Sequence, residues 1–162
     1  MPRSRMSRFA IFIGVWNTRG NVLATEDAPA GTLIATDSYR WLPGGHFLLH
    51  DVDARFGDEP TRSMEVVGYD AARRKHIARS FDDRGATQEF VVELRGRRWR
   101  IEGDTVRFDG RFGVDGQTLT GLWERKGAKR GWQPWIELEL VRAYPVAPSL
   151  RGRGYRAQAT GV

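Results

Sequence analysis

Short β-strand signals recur at regular spacing along almost the whole chain and constrain its fold more than any other feature. Each is bounded by a turn rich in Gly, Pro or Asp, such as residues 28–31 and 43–45. No long stretch has helical periodicity, so no helix is available to connect parallel strands. The pattern predicts an all-β fold, a single antiparallel up-and-down β-barrel of about ten strands, preceded by at most one short N-terminal helix.

The positions of the strands follow from the apolar runs and the turns between them. We expect ten strands, at Gly14–Glu26, Thr32–Trp41, His46–Phe56, Arg62–Tyr69, His76–Phe81, Thr87–Arg95, Arg98–Ile101, Thr105–Phe112, Thr118–Arg125 and Trp132–Arg142.

The first and last strands carry the residues expected to close the barrel. The apolar run 9–15 ends in Gly14-Val15-Trp16, and alternation in the last strand places Arg142 on the same face as Leu138 and Leu140. If these strands pair, the guanidinium of Arg142 lies over the indole of Trp16. Such a cation–π contact is worth about 0.5–2 kcal/mol. The alternative is that one residue belongs to the core and the other to the surface.

The chain of 162 residues is long enough to form one domain with a sizeable core. We predict a basic N-terminal leader at residues 1–8, the barrel at 9–142 and a Pro/Gly/Arg-rich tail at 143–162, with both ends peripheral to the core. The chain has no cysteine, which favours a reducing, cytoplasmic location. Residues 9–15 are too few to span a bilayer and lack a small-residue cleavage site, so no membrane partner is expected.

The net charge of +6 is concentrated at the two ends of the chain. The excess is accounted for by six arginines, Arg3, Arg5, Arg8, Arg151, Arg153 and Arg156, while residues 9–142 are neutral overall. Nucleic-acid binding needs a coherent basic face rather than basic ends. We therefore expect no nucleic-acid partner.

Alternation predicts which side chains face the interior. In the third strand it places His46, Leu48, His50 and Val52 inward, and in the sixth it places Gln88 inward with Phe90 and its apolar neighbours. The fifth strand leaves two alternatives. Either Arg79 faces inward with Ile77 and Phe81, or the inward set is His76, Ala78 and Ser80.

The three histidines are the main candidates for chemistry. His46 and His50 lie about 13 Å apart along one strand face, too far to bind one metal ion, so we expect no metal. The unperturbed pKa of histidine lies near neutrality, so an inward His50 could act as a general base or proton shuttle. The alternative is a hydrogen-bonded histidine without a catalytic role.

Aromatic residues give the strongest indication of a binding site. Six tryptophans are many for this length, and a ten-stranded barrel is wider than the barrels that side chains alone fill. Apolar pockets with a few polar groups are the usual form of small-molecule sites. The predicted ligand-binding residues are Trp41, His50, Tyr69, His76, Arg79, Trp123 and Trp135.

The order of several short motifs resembles that of the DUF1579 family of lipocalin-like proteins. These motifs are Gly14-Val15-Trp16, the run Tyr39–Leu48, Val66–Asp70, Ser80–Gly85 and Leu122-Trp123-Glu124. The resemblance covers roughly Phe9 to Arg142 and implies a calycin-type barrel with an internal cavity. A weaker similarity is to nitrobindin-like haem barrels, which also begin with Gly-x-Trp. The last third of this chain has no histidine where their haem ligand lies, so no cofactor is expected.

Three functions follow from these observations. The first is binding of a small, mainly apolar or aromatic molecule inside the barrel. The second is a cofactor-independent isomerase or cyclase in the same cavity, with His50 moving a proton. The third is an interaction module whose basic tails bind an acidic partner, and a homodimer is left open. His50→Ala is expected to leave folding and affinity nearly intact in a carrier and to remove turnover in an enzyme.

Overall fold

The computed structural model describes residues 4–129 and 131–143 and forms a closed antiparallel barrel of ten strands. Neighbours along the chain are neighbours in the sheet, and β1 pairs with β10 to close it. The strands are β1 Gly14–Val22, β2 Gly31–Trp41, β3 Phe47–Phe56, β4 Glu59–Asp70, β5 Lys75–Asp82, β6 Thr87–Arg95, β7 Arg98–Glu102, β8 Val106–Phe112, β9 Thr118–Gly127 and β10 Gly131–Arg142. The predicted fold class and all ten strands are confirmed.

Two strand boundaries differ from the sequence prediction by three residues or more. β1 ends at Val22 rather than Glu26, because the Leu23 amide bonds to the Trp135 carbonyl and residues 23–30 form an irregular connection. β4 begins at Glu59 rather than Arg62, and Pro60 pairs with Arg55 beside the tight turn at Gly57. A proline is tolerated at the start of a strand, where its missing amide hydrogen removes few of the hydrogen bonds between strands.

The two ends of the barrel are closed differently. At the end where β1 begins and β10 finishes, which we call the floor, a 3-10 helix at Ser7–Phe12 packs into the barrel. Its Phe9 and Phe12 are 0% and 1% exposed and contact Trp99, and Phe12 also packs edge-on against Phe112. The opposite end, which we call the mouth, has no such helix among the described residues.

The predicted barrel closure is confirmed in register and in contact. Trp16 pairs with Arg142 across β1 and β10, and the Arg142 guanidinium carbon lies 4.1 Å from the centre of the indole. The same guanidinium donates hydrogen bonds to the carbonyls of Ile13 and Ile11, each at 2.6 Å. The Trp16 indole N–H donates to the Phe12 carbonyl at 2.8 Å. Closure of the sheet and attachment of the helix therefore use the same two side chains.

The N-terminal segment is attached to the barrel more closely than the sequence indicated. Residues 1–8 were expected to be peripheral, but Met6 is 2% exposed within the main core cluster. Arg5 lies over the Tyr69 ring and bonds to its hydroxyl. The physical reason is that the helix must reach across the floor, which brings the residue before it into the core. The predicted tail lies almost wholly outside the described residues.

Candidate functional site in the barrel interior

The interior of the barrel contains a cavity of about 360 Å³ between the floor helix and the mouth. This volume lies in the lower part of the roughly 300–1,000 Å³ range of small-molecule sites. Side chains from every strand line it. The ten-stranded barrel is therefore not filled by its own side chains at this level.

One wall of the cavity is apolar and aromatic and belongs to β7–β10. Its side chains are Trp99, Ile101, Val106, Phe108, Leu119, Trp123, Trp135, Ile136, Leu138 and Leu140. Two inward glycines keep this wall open, because the Phe108 ring lies over Gly110 and Gly121. A Cβ added to Gly121 would be 2.4 Å from the Phe108 ring and 2.6 Å from the Asp109 carbonyl. Any larger residue there would displace the ring.

An irregularity in β10 places two consecutive side chains on the cavity. The register with β9 shifts between Pro134 and Ile136, so that Trp135 is the extra residue of a β-bulge. As a result Trp135 and Ile136 both line the cavity, which strict alternation would forbid. Pro134 lacks an amide hydrogen and fits the interrupted ladder.

The facing wall belongs to β2–β6 and carries polar as well as apolar side chains. Adjacent strands carry paired inward residues at one level, so that Tyr39 pairs with His50, His50 with Glu65, Glu65 with Ser80, and Ser80 with Gln88. We call these five residues the polar belt. All five line the cavity, and the belt therefore offers hydrogen-bonding groups opposite the aromatic wall.

His50 is held at the centre of the polar belt by two carboxylates. Its Nε2 is 2.6 Å from Asp37 Oδ1, and its Nδ1 is 3.5 Å from Glu65 Oε1. The hydroxyl of Thr18 donates to the other Asp37 oxygen. Burial lowers the pKa of His50, but the bonds to Asp37 and Glu65 outweigh burial and raise the pKa to about 9. His50 is therefore an imidazolium at neutral pH.

Tyr39 connects this cluster to the floor. Its ring stacks on His50 with centroids 4.0 Å apart, and it also contacts Phe12 of the helix, at 5.1 Å. Burial, followed by the charges of Asp37 and Glu65, raises the pKa of Tyr39 well above its ordinary value. The phenol is therefore neutral throughout the physiological range.

Three of the seven predicted ligand-binding residues line the cavity. They are His50, Trp123 and Trp135. The predicted inward parity of His50 is correct, since Leu48, Val52 and Ala54 of the same strand also face the interior.

The other four residues lie outside the cavity, and their predicted role is corrected. Trp41 and Tyr69 face inward but sit at the floor end of their strands, against the core around the helix. His76 packs on Phe9, and its Nε2 bonds to the Arg5 carbonyl. Arg79 points outward to Glu89, because β5 adopts the alternative with Ser80 facing the cavity.

Sequence reasoning missed the three polar residues that hold His50 or extend its cluster. Thr18, Asp37 and Glu65 were not singled out, although all three lie on the inward face of their strands. Alternation with Leu33 and Ala35 in β2 is the signal that could have located Asp37.

The described residues contain no cluster of three or more His, Cys, Asp or Glu side chains suited to a metal ion. None of their helical segments has the length and apolar character that crossing a bilayer requires.

One solved structure agrees with this architecture. The barrel resembles the crystal structure of Rv2717c from M. tuberculosis with a TM-score of 0.64 and 14% identity, over 85% of this chain and 96% of that one. At this identity the likeness shows the fold alone. A de novo designed fluorescence-activating β-barrel matches with a TM-score of 0.45 and 11% identity, over 82% and 94% of the two chains. No curated protein matches the chain.

The family model described as "Protein of unknown function (DUF1579)" matches residues 1–111. The match includes the N-terminal segment and the strands that carry the polar belt. The chain belongs to the DUF1579 family.

Proposed function

We propose that this protein binds a small, mainly apolar or aromatic molecule inside the barrel. The observation that carries the proposal is the open cavity of about 360 Å³ with an aromatic wall on one side and the polar belt on the other. An apolar wall supplies affinity through burial, and a few fixed polar groups orient the ligand. The ring of Trp123 and the side chain of Glu65 lie on opposite walls, so one ligand of suitable size contacts both.

The position of His50 favours binding over proton transfer. Both of its ring nitrogens face carboxylates, Nε2 that of Asp37 and Nδ1 that of Glu65. A general base needs a free nitrogen within reach of the substrate and a pKa near the working pH. His50 has neither, since its pKa is raised to about 9. The isomerase or cyclase that the sequence suggested, with His50 as proton shuttle, is therefore the less favoured alternative.

A pair of neighbouring substitutions in β2 tests whether the cavity is the binding site. Ala35 lines the cavity, whereas Ile34 beside it faces outward and is 54% exposed. Ala35→Phe fills the cavity, and Ile34→Phe adds the same ring to the outside. The probe is 1-naphthalenemethanol, a neutral two-ring molecule, with binding measured by isothermal titration calorimetry.

We expect the wild-type chain and Ile34→Phe to bind the probe, and Ala35→Phe to bind at least tenfold more weakly. Circular dichroism and thermal unfolding confirm that each variant is folded. Equal binding by folded Ala35→Phe, or no binding by the wild-type chain, contradicts the proposal. Native mass spectrometry of the purified protein identifies any small molecule that copurifies.

A further inference from the structure

The charged side chains of the cavity are strongly biased toward one sign. Three carboxylates line it, those of Asp37, Glu65 and Asp82, while His50 is the one cationic side chain among the described lining residues. Asp82 lies at the mouth, where its carboxylate also accepts bonds from the amides of Arg84 and Ala86. The interior thus carries an excess of negative charge.

Of the two carboxylates beside His50, Glu65 is the one whose charge is less compensated. Asp37 accepts from Thr18 and makes the shorter contact with His50, at 2.6 Å against 3.5 Å for Glu65. One imidazolium therefore faces two carboxylates, and the group of three side chains keeps a net charge of −1. The Glu65 side chain is 16% exposed, so the uncompensated charge lies inside the barrel rather than in bulk water.

Two arginines close to Glu65 in the sheet lie on the opposite face. Arg79, on the adjacent strand β5, points outward and pairs with Glu89 at 3.4 Å. Arg62, on the same strand as Glu65, pairs with Asp53 outside the barrel at 2.7 Å. Neither guanidinium lines the cavity. A cation carried by the ligand could therefore balance the remaining negative charge of Glu65.

Resting on the proposed function, we propose that the ligand is an organic cation, an apolar aromatic body carrying a protonated nitrogen that pairs with Glu65. The nitrogen donates to the Glu65 carboxylate, and Ser80 and Gln88 on the neighbouring strands supply further acceptors at the same level. The ring system lies against the wall of β7–β10. A carboxylate or phosphate in this position meets like charge and has no guanidinium or ammonium among the described lining residues to bind.

Three probes of nearly the same shape test the sign of the preferred charge. They are 1-naphthylmethylamine, which is protonated at pH 7, the neutral 1-naphthalenemethanol and the anionic 1-naphthoic acid. We expect the amine to bind the wild-type chain about tenfold more tightly than the alcohol, and the acid to bind more weakly than both. This ranking needs no variant and is measured by calorimetry.

The variant Glu65→Gln assigns the preference to one residue. Its amide keeps the shape of the side chain and removes the charge, so the amine should lose its tenfold advantage over the alcohol. Glu93→Gln is the matched control, because Glu93 lies on the outside of the barrel beside Arg95. It should leave all three affinities unchanged.

The outcomes separate this inference from the proposed function. If the alcohol binds and the amine binds no better, or if the acid binds best, the inference is overturned while the binding function stands. If none of the probes binds, the proposed function fails as well. An amine preference that survives in Glu65→Gln also overturns the inference, because another group then recognises the cation.

Discussion

Tyr39 lies flat on His50, with ring centroids 4.0 Å apart and an angle of 8° between the planes. Since Phe12 packs on Tyr39 from the floor, one chain of rings connects the helix to the polar belt. The position of the imidazolium is therefore set both by its carboxylates and by the helix. His50 thus has a structural role.

Replacing His50 by Ala should destabilise the fold. The sequence alone suggested little effect on folding, but the structure shows that Asp37 and Glu65 would lose their shared cation. Leaving a buried charge unpaired costs about 3 kcal/mol or more. We expect a loss of this size in the free energy of unfolding at pH 7. Urea unfolding measures it, and an unchanged midpoint would contradict the expectation.

The stability of the protein should fall in alkaline solution because of His50. Its pKa is about 9 in the folded chain, against an ordinary value of 6.5. A raised folded-state pKa means that the stabilisation is complete below pH 6.5 and is lost as the pH rises through 9. The shift corresponds to about 3 kcal/mol.

The comparison of wild type with His50→Gln isolates this contribution from other titrating groups. The difference in unfolding free energy should shrink between pH 6.5 and pH 9.5. NMR titration of the imidazole provides the direct check, and a His50 pKa near 6.5 would refute the prediction.

Arg142→Lys should weaken the attachment of the N-terminal helix to the floor of the barrel. The guanidinium lies over Trp16 and bonds to the carbonyls of Ile13 and Ile11, and a lysine ammonium lacks the planar fork that reaches both. We expect a loss of about 1–3 kcal/mol and faster amide hydrogen exchange around the helix. Arg19→Lys, at an exposed position of β1, is the control. Unaltered exchange in Arg142→Lys would show that the helix is held by its apolar contacts alone.

Gly121→Ala should reduce both stability and ligand affinity. The added methyl group meets two backbone atoms and the Phe108 ring, which lines the cavity, so we expect the strand to shift and the ring to move toward the cavity. Overpacking of this kind costs about 1–3 kcal/mol. Calorimetry with 1-naphthalenemethanol should show weaker binding, while Thr120→Ala, on the outer face of the same strand, should bind normally. Wild-type affinity in Gly121→Ala would mean that the ring moves elsewhere.

Alternation and turn chemistry were enough to predict the barrel. The pairing of Trp16 with Arg142 followed from the alternation of residues in the first and last strands. The inward direction of His50 followed from the polar residues on the other face of its own strand. These features depend on the burial of one sheet face, which is written into the order of apolar and polar residues.

The residues that make up the site were harder to predict from the sequence than the barrel. Asp37 and Glu65 were not singled out, because their role depends on a histidine of another strand that only the register brings within reach. The facing of Arg79 was left open between two alternatives, because Ile77 and Phe81 on the same face are apolar. That face lies outside the barrel, where Ile77 is nevertheless 1% exposed. Apolar character alone therefore did not identify the inner face of β5.

The extra residue in β10 is a position at which the volume of the cavity can change while the strand pairing stays the same. Because Trp135 stands opposite no residue of β9, its removal would leave the pairings from Ile136 to Val141 as they are. A deletion of this one residue would exchange a flat indole for open volume without altering any other lining side chain. A chain that lacks this one residue would therefore keep the barrel and its charges while enclosing a cavity of different size.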